Sequence, residues 1–207
     1  MLEVMSRPRA NPSNKQLITI VDRALAENAQ KCGNWLACRP GCTQCCIGVF
    51  PINQLDAFRL RQGLEDLNKT SPKTADEIRR RAKESVRRLS SHFPGDPQTG
   101  ILDEGSEAER RFATFGDDEP CPALHPVTGL CELYESRPMT CRIFGPPIRS
   151  EEGLGVCELC FQGATDEQIA QCELVADPDD LESQLLRQLE RKSGKAGRTI
   201  VAFCLAR

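Results

Sequence analysis

Twelve unevenly spaced cysteines constrain this chain more than any other feature of its 207 residues. Four of them fall in the stretch CRPGCTQCC, residues 38–46, and the next is Cys121. Thiols at this density indicate either a disulfide framework or a metal site, and the redox state of the compartment decides between them. The cysteine-free stretch between the two groups has the pattern of two long helices. We expect these helices to run out and back, so that the first and second groups of thiols meet.

Composition favours a soluble protein that keeps its thiols reduced. The N-terminal stretch MLEVMSRPRANPSNKQLITIVDRAL has polar residues and prolines where a secretory signal would be apolar, and no run approaches the ~18 apolar residues of a membrane span. The net charge of −3 gives no reason to expect a nucleic-acid partner. We therefore expect a cytoplasmic protein without membrane contact, with disulfides as the alternative use of the thiols.

Apolar residues recur at spacings of three and four along much of the chain, which is the pattern of amphipathic helices. The clearest case is residues 14–31, where Leu17, Val21 and Leu25 lie on one stripe. We expect the C-terminal stretch RTIVAFCLAR to be an edge strand. The other expected boundaries are Asn53 as the N-cap of a second helix, Ser71 and Pro72 at the start of a third, residues 105–114 for a short fourth, and Asp177 or Asp179 to Gly194 for the last.

These patterns predict a mainly α protein with little β structure: a single small globular domain of amphipathic helices around a turn-rich cysteine metal site. We expect an N-terminal helix within residues 1–31, a cysteine-cluster domain over residues 32–175, and a C-terminal helix and tail over residues 176–207 packed on it. The third helix carries a row of basic residues that we expect to form a solvated face. They are Arg79, Arg80, Arg81, Lys83, Arg87 and Arg88.

Nine cysteines are the candidate metal ligands, because two thiolates a few residues apart in a turn can point at one ion. Cys45 and Cys46 are adjacent, and neighbouring side chains diverge, so we expect one of them to face a second metal, a bridging position or the core. The spacing leaves open whether one or two centres form. The candidates are Cys38, Cys42, Cys45 and Cys46 in a first group, Cys121, Cys131 and Cys141 in a second, and Cys157 and Cys160 in a third, whereas Cys32, Cys172 and Cys204 stand alone.

Two arginines are candidates for contact with the bound cofactor. A site of four thiolates around zinc or an iron-sulfur cluster carries about two net negative charges, which nearby cations offset. Arg137 and Arg142 flank Cys141 and can also donate hydrogen bonds to sulfur. His92 and His125 are the only histidines, and we expect surface roles for both rather than ligation.

The stretches CRPGCTQCC and CPALHPVTGLCELYESRPMTCRIF together resemble the YkgJ-like cysteine-cluster family, which is described as a zinc- or iron-chelating domain or an iron-sulfur-cluster-containing protein. Ala123 departs from the aromatic residue usual after Cys121-Pro122. The resemblance implies metal binding through the seven shared cysteines and leaves zinc and iron open. Some larger relatives, the flagellin lysine methylases, add a methyl-transfer activity, but this chain has no glycine-rich methyl-donor signature.

The sequence thus favours an iron-sulfur cluster, and among cluster types it favours 4Fe-4S. We expect such a cluster to transfer electrons to a redox or protein partner that the sequence does not identify. The density of thiols, the scarcity of histidine and the Cys121-Pro122 pair all favour iron-sulfur over a zinc or iron ion. One alternative is a zinc-stapled interaction module, in which the metal stabilises a turn-rich segment. Another is an enzyme that uses the metal for group transfer.

Overall fold

The computed structural model describes residues 13–150 and 153–207, so residues 1–12 of the expected N-terminal segment lie outside the described residues. Within these ranges the only strands are two antiparallel pairs, β1 with β2 and β3 with β4. The prediction of a mainly α fold with little β is confirmed. The elements are α1 (Asn14–Cys32), α2 (Gln54–Thr70), α3 (Pro72–Leu89), β1 (Gly95–Asp96), β2 (Ile101–Leu102), α4 (Ser106–Phe112), α5 (Met139–Ile143), β3 (Ile148–Ser150), β4 (Gly153–Gly155), α6 (Asp166–Gln171), α7 (Leu181–Ser193) and α8 (Val201–Leu205).

The main core lies between α2, α3 and α8. Leu60, Ile78 and Leu205, one from each helix, are at most 1% exposed. The expected C-terminal edge strand is wrong: only Thr199 pairs with Ile52, and the chain then turns into helix α8. All five residues of α8 are buried, and a short segment that is apolar on every side fits a buried helix better than an edge strand.

The first and last long helices pack against each other. Leu17 and Val21 of α1 are fully buried and share a cluster with Leu185 of α7. The Asp177 carboxylate accepts from the backbone N–H groups at the start of α7, at 3.0 and 2.8 Å, so it acts as the cap expected there. Gly194 ends α7 in the left-handed conformation. None of the helices in the described residues is long and apolar enough to span a bilayer.

Two arginines of α3 hold the turn-rich segment instead of pointing only into solvent. Arg81 donates to the Pro122 carbonyl at 2.9 Å and forms an ion pair with Glu132. Arg88 donates twice to the carboxylate of Glu119, at 2.6 and 3.1 Å. The expectation of a solvated basic face is therefore wrong for Arg81, which is largely buried by these contacts. The segment that carries Cys121 is fixed to α3 from both sides.

A buried carboxylate in α2 positions the short helix α5. Asp56 accepts from the Met139 N–H at 2.9 Å and from Arg59 at 2.7 Å, and both members of this ion pair are nearly inaccessible to solvent. Burial raises the pKa of Asp56 to about 6, although the Arg59 charge and the Met139 N–H oppose the rise. Because Met139 begins α5, this contact fixes the helix that carries Cys141.

Gly63 allows the segment before α5 to touch α2. A Cβ at this position would overlap the Oγ and Cβ atoms of Ser136. We expect Gly63→Ala to lower the free energy of unfolding by about 1–3 kcal/mol, because the overlap outweighs the better helix propensity of alanine. Gln62→Ala, on the exposed neighbouring position, is the control and should be nearly neutral. A Gly63→Ala protein as stable as that control, in urea unfolding, would contradict this packing.

Candidate metal centres

The fold gathers the nine candidate cysteines into two separate groups. Backbone and sulfur contacts bring the members of each group together, the thiols of each group shift one another's pKa, and both groups combine residues that are distant in sequence. We call the first the five-thiol group: Cys45, Cys46, Cys121, Cys131 and Cys141. We call the second the four-thiol group: Cys38, Cys42, Cys157 and Cys160.

Backbone pairing builds the five-thiol group. The Cys121 N–H donates to the Cys46 carbonyl at 2.8 Å, which places these two residues side by side. Cys131 pairs across a bridge with Leu124, which closes a small hairpin around Thr128 and Gly129. Cys141 comes from α5, which Asp56 anchors. Four segments of the chain thus deliver the thiols to one place.

The adjacent Cys45 and Cys46 both belong to the five-thiol group, which the sequence did not indicate. They lie in a single 3₁₀ turn over Gln44–Cys46. In such a turn successive side chains are about 120° apart, less than in an extended strand. The Cys46 thiol lies close enough to stabilise a thiolate on Cys45 and lowers the pKa of Cys45 to about 6. The same contact, followed by burial, raises the pKa of Cys46.

Burial keeps the other thiols of this group protonated when no metal is bound. It raises the pKa of Cys121 to about 12, and it is also the main reason that the pKa values of Cys131 and Cys141 are raised. Metals bind the thiolate, so an ion must displace these protons, and binding strengthens as the pH rises.

The structure brings one of the two candidate arginines to the thiols. Arg137 stacks over the Tyr134 ring, 3.5 Å from its centroid, and its charge lowers the pKa of Cys45 and opposes the rise in the pKa of Cys141. The guanidinium of Arg142 instead pairs with Asp22 of α1 at 2.6 Å and donates to the Glu135 carbonyl at 2.6 Å.

Paired loops build the four-thiol group. The Cys160 N–H donates to the Cys157 carbonyl at 2.8 Å, which closes a tight turn. The backbone N–H of Ala37 donates to the Cys160 Sγ at 3.4 Å, so the first cysteine loop lies directly on this turn. Burial, followed by the nearby thiol of Cys160, raises the pKa of Cys38 to about 12, and Cys42 and Cys157 add to the rise.

Glycine at position 145 makes room for Cys38. A Cβ there would lie 2.5 Å from the Cys38 Sγ, and the backbone has a φ of +124°, which L side chains rarely adopt. The Gly145 carbonyl also accepts from the Cys157 N–H at 3.4 Å. Gly145 is therefore a contact point between Cys38 and Cys157, and sequence spacing gave no signal for it.

The remaining cysteines and the candidate histidine have other roles. Cys32 and Cys172 are joined as a disulfide with a Cα–Cα distance of 5.7 Å, so the expectation that the thiols stay reduced fails for this pair. The Cys204 Sγ donates to the Ala57 carbonyl at 3.3 Å inside the main core. The Nδ1 atom of His125 accepts from the N–H groups of Val127 and Thr128. This nitrogen therefore stabilises a turn.

The donor set suits a thiophilic metal, although the thiols are not yet arranged around one. Within residues 13–150 and 153–207, no three cysteine, histidine, aspartate or glutamate side chains already surround one point as bound ligands do. Eight of the nine candidate thiols are nevertheless buried or half-buried, and Cys38 is exposed. Short side-chain movements toward an ion are expected when metal binding and local ordering are coupled.

A mainly helical domain with clustered, half-buried thiols defines the class of cysteine-rich metal-chelating proteins. A family model, "CxxCxxCC: Putative zinc- or iron-chelating domain", matches residues 37–161, more than half of the chain. The chain belongs to this family, and the resemblance seen in the sequence is confirmed. The matched region contains both thiol groups and excludes Cys32 and Cys172. No curated protein and no solved structure shows significant similarity to the chain.

Proposed function

We propose that the five-thiol group holds an iron-sulfur cluster of the 4Fe-4S type, and that the protein transfers electrons to a partner in the cytoplasm. The observation that carries the proposal is the meeting of five thiols with the cationic Arg137 and without a histidine. Iron-sulfur clusters use thiolate ligands, and zinc sites often include histidine. A nearby cation offsets the negative charge of a cluster held by thiolates.

The surface next to this group suits a partner that approaches the cluster. Tyr134, whose ring carries Arg137, is 55% exposed, and Leu130 and Val127 on the same hairpin are 46% and 86% exposed. Exposed apolar residues of this kind are common where proteins meet. An electron carrier needs its cluster close to such a surface.

Purification without oxygen tests the proposal. The protein should be brown, absorb broadly near 400 nm, and contain iron and acid-labile sulfide. Cys121→Ser should abolish the absorption, because Cys121 is at the centre of the group, whereas Cys204→Ser should keep it. Colourless protein with stoichiometric zinc and no iron would overturn the iron-sulfur assignment.

Replacement of Arg137 should change the reduction potential of the cluster. We expect Arg137→Gln to lower the potential, because loss of a positive charge favours the oxidised, less negative cluster. Arg149→Gln is the matched control, since Arg149 is exposed and pairs with Glu173 at 2.6 Å. The measurement is a potentiometric titration followed by absorption. An unchanged or higher potential in Arg137→Gln would show that its charge does not act on the cluster.

A zinc-stapled interaction module is the second candidate. It is favoured by the small amount of regular structure between Gly33 and Ile52 and between Phe112 and Met139. Such segments need cross-links because they bury little apolar surface. Zinc in place of iron, together with loss of structure on chelation, would support this candidate.

A further inference from the structure

We infer that Cys38, Cys42, Cys157 and Cys160 form a second metal centre, separate from the five-thiol group, which binds one zinc ion through four thiolates. The inference extends the proposed function but does not depend on the metal in the five-thiol group. The role of this second centre is to fix the loop at Cys157–Cys160 to the first cysteine loop.

Backbone contacts place three of the four thiols around one small region. The Cys38 Sγ occupies the space that a side chain at Gly145 would fill, and the Gly145 carbonyl accepts from the Cys157 N–H. The Ala37 N–H reaches the Cys160 Sγ at 3.4 Å, and Ala37 is next to Cys38 in the chain. An N–H group aimed at sulfur is a contact that stabilises a metal-bound thiolate.

The fourth thiol, Cys42, lies in a turn next to the same region. A turn closed by the Cys42 N–H and the Arg39 carbonyl, 2.9 Å apart, brings Cys42 back toward Cys38. Cys42 and Leu159 line one open cavity, and Leu159 lies inside the turn between Cys157 and Cys160. The two pairs lie in neighbouring loops, with three residues between Cys38 and Cys42 and two between Cys157 and Cys160. Both spacings are usual for structural zinc.

A rigid frame surrounds the four-thiol group. The rings of Trp35 and Phe161 stack with centroids 6.3 Å apart, and the Phe161 N–H donates to the Trp35 carbonyl at 2.8 Å. The disulfide between Cys32 and Cys172 belongs to the same buried cluster. Cys157 and Cys160 are 8% and 3% exposed. Cys38 is exposed and Cys42 is half-buried. Four thiolates would complete the coordination of one zinc ion and leave no position for a substrate, which is characteristic of structural zinc sites.

The two groups are neighbours but draw on different thiols. Cys42 and Cys45 are separated by two residues, so their Cα atoms are at most ~11 Å apart. Cys38 lies against Gly145, and the Ala37 N–H beside it donates to the Cys160 Sγ at 3.4 Å. Cys46 instead lies beside Cys121, whose N–H donates to the Cys46 carbonyl at 2.8 Å. The CRPGCTQCC run therefore divides between the two centres after Cys42.

Metal analysis of paired variants tests the inference. The full chain is produced with iron and zinc supplied, purified without oxygen, and analysed for both metals and for absorption near 400 nm. Cys157→Ser/Cys160→Ser should lose one zinc per chain and keep its iron and absorption. Cys121→Ser/Cys141→Ser should lose iron and absorption and keep zinc. Cys204→Ser is the control and should keep both metals.

The outcomes separate this inference from the proposed function. Loss of iron together with zinc in Cys157→Ser/Cys160→Ser would show one shared centre and overturn the inference, as would zinc at the wild-type level. Two zinc ions in wild type, one of them lost in Cys157→Ser/Cys160→Ser, would overturn the iron-sulfur cluster and leave the second centre standing. Native mass spectrometry of the wild-type protein avoids dependence on the folding of variants. It should show zinc and a cluster on one chain, and a single metal centre per chain would overturn the inference.

Discussion

Asp56→Ala should lower the free energy of unfolding by about 3 kcal/mol, the lower end of the range for breaking a buried ion pair, because the buried guanidinium of Arg59 keeps only its longer contact to Glu182 at 3.3 Å. The same change removes the acceptor for the Met139 N–H, which loosens the start of α5. We therefore expect weaker metal retention at the five-thiol group as well as lower stability. Urea unfolding gives the first quantity, and metal content after dialysis against a weak chelator gives the second.

Asp66→Ala is the matched control for Asp56→Ala. Asp66 forms an ion pair with Lys69 in the same helix and at the same three-residue spacing, but both side chains are more than 70% exposed. Exposed pairs of this type contribute about 0.2–1 kcal/mol. If Asp56→Ala were no more destabilising than Asp66→Ala, burial would not govern the contribution of Asp56, and its assigned role at α5 would fail.

Removal of metal should unfold the cysteine-bearing segments and spare the helical core. We expect amide hydrogen exchange in residues 33–46, 121–150 and 153–160 to speed up at least about 100-fold in a chelator, close to 3 kcal/mol of lost local stability. Protection in α2, α3 and α8 should persist, because their mutual burial involves no ligand. Hydrogen exchange with mass spectrometry resolves these regions in one experiment.

Two results would contradict this expectation. Unchanged exchange in both cysteine-bearing segments after complete metal loss would mean that the thiols act as buried apolar groups. Loss of protection across the whole chain would mean that the helical core depends on the metal as well. Restoration of slow exchange when metal is returned to the depleted protein is the control for irreversible damage.

Local chemistry explains why so much of the helical fold could be predicted. Asn53 caps α2 with its side chain, which accepts from the Asp56 N–H, while Pro72 and Gly194 mark helix ends through their own backbone conformations. These local preferences act wherever the residues lie. The stretch RTIVAFCLAR carries no such signal. Its helix forms because the groove between α2 and α3 buries it on every side, and a sequence window does not contain that groove.

The spacing of the cysteines in the sequence could not predict how the thiols are grouped. Cys42 and Cys45 are in one short run, yet they face different partners because separate distant segments pack on each. Arg142 is next to Cys141 in sequence and Arg137 is four residues away, yet Arg137 is the one that acts on the thiols, because the packing of α1 pairs Arg142 with Asp22. The bond between Cys32 and Cys172 spans 140 residues and had no local signature.

That bond encloses all nine candidate ligands in one loop of the chain. Cys32 precedes the first of them and Cys172 follows the last. Both thiol groups therefore stay inside this covalent ring even when their metal is lost. A closed loop has fewer extended conformations than an open one. After metal loss, the separated thiols would stay at a high local concentration relative to one another. The ring therefore favours recapture of an ion by the same chain over its exchange to another molecule.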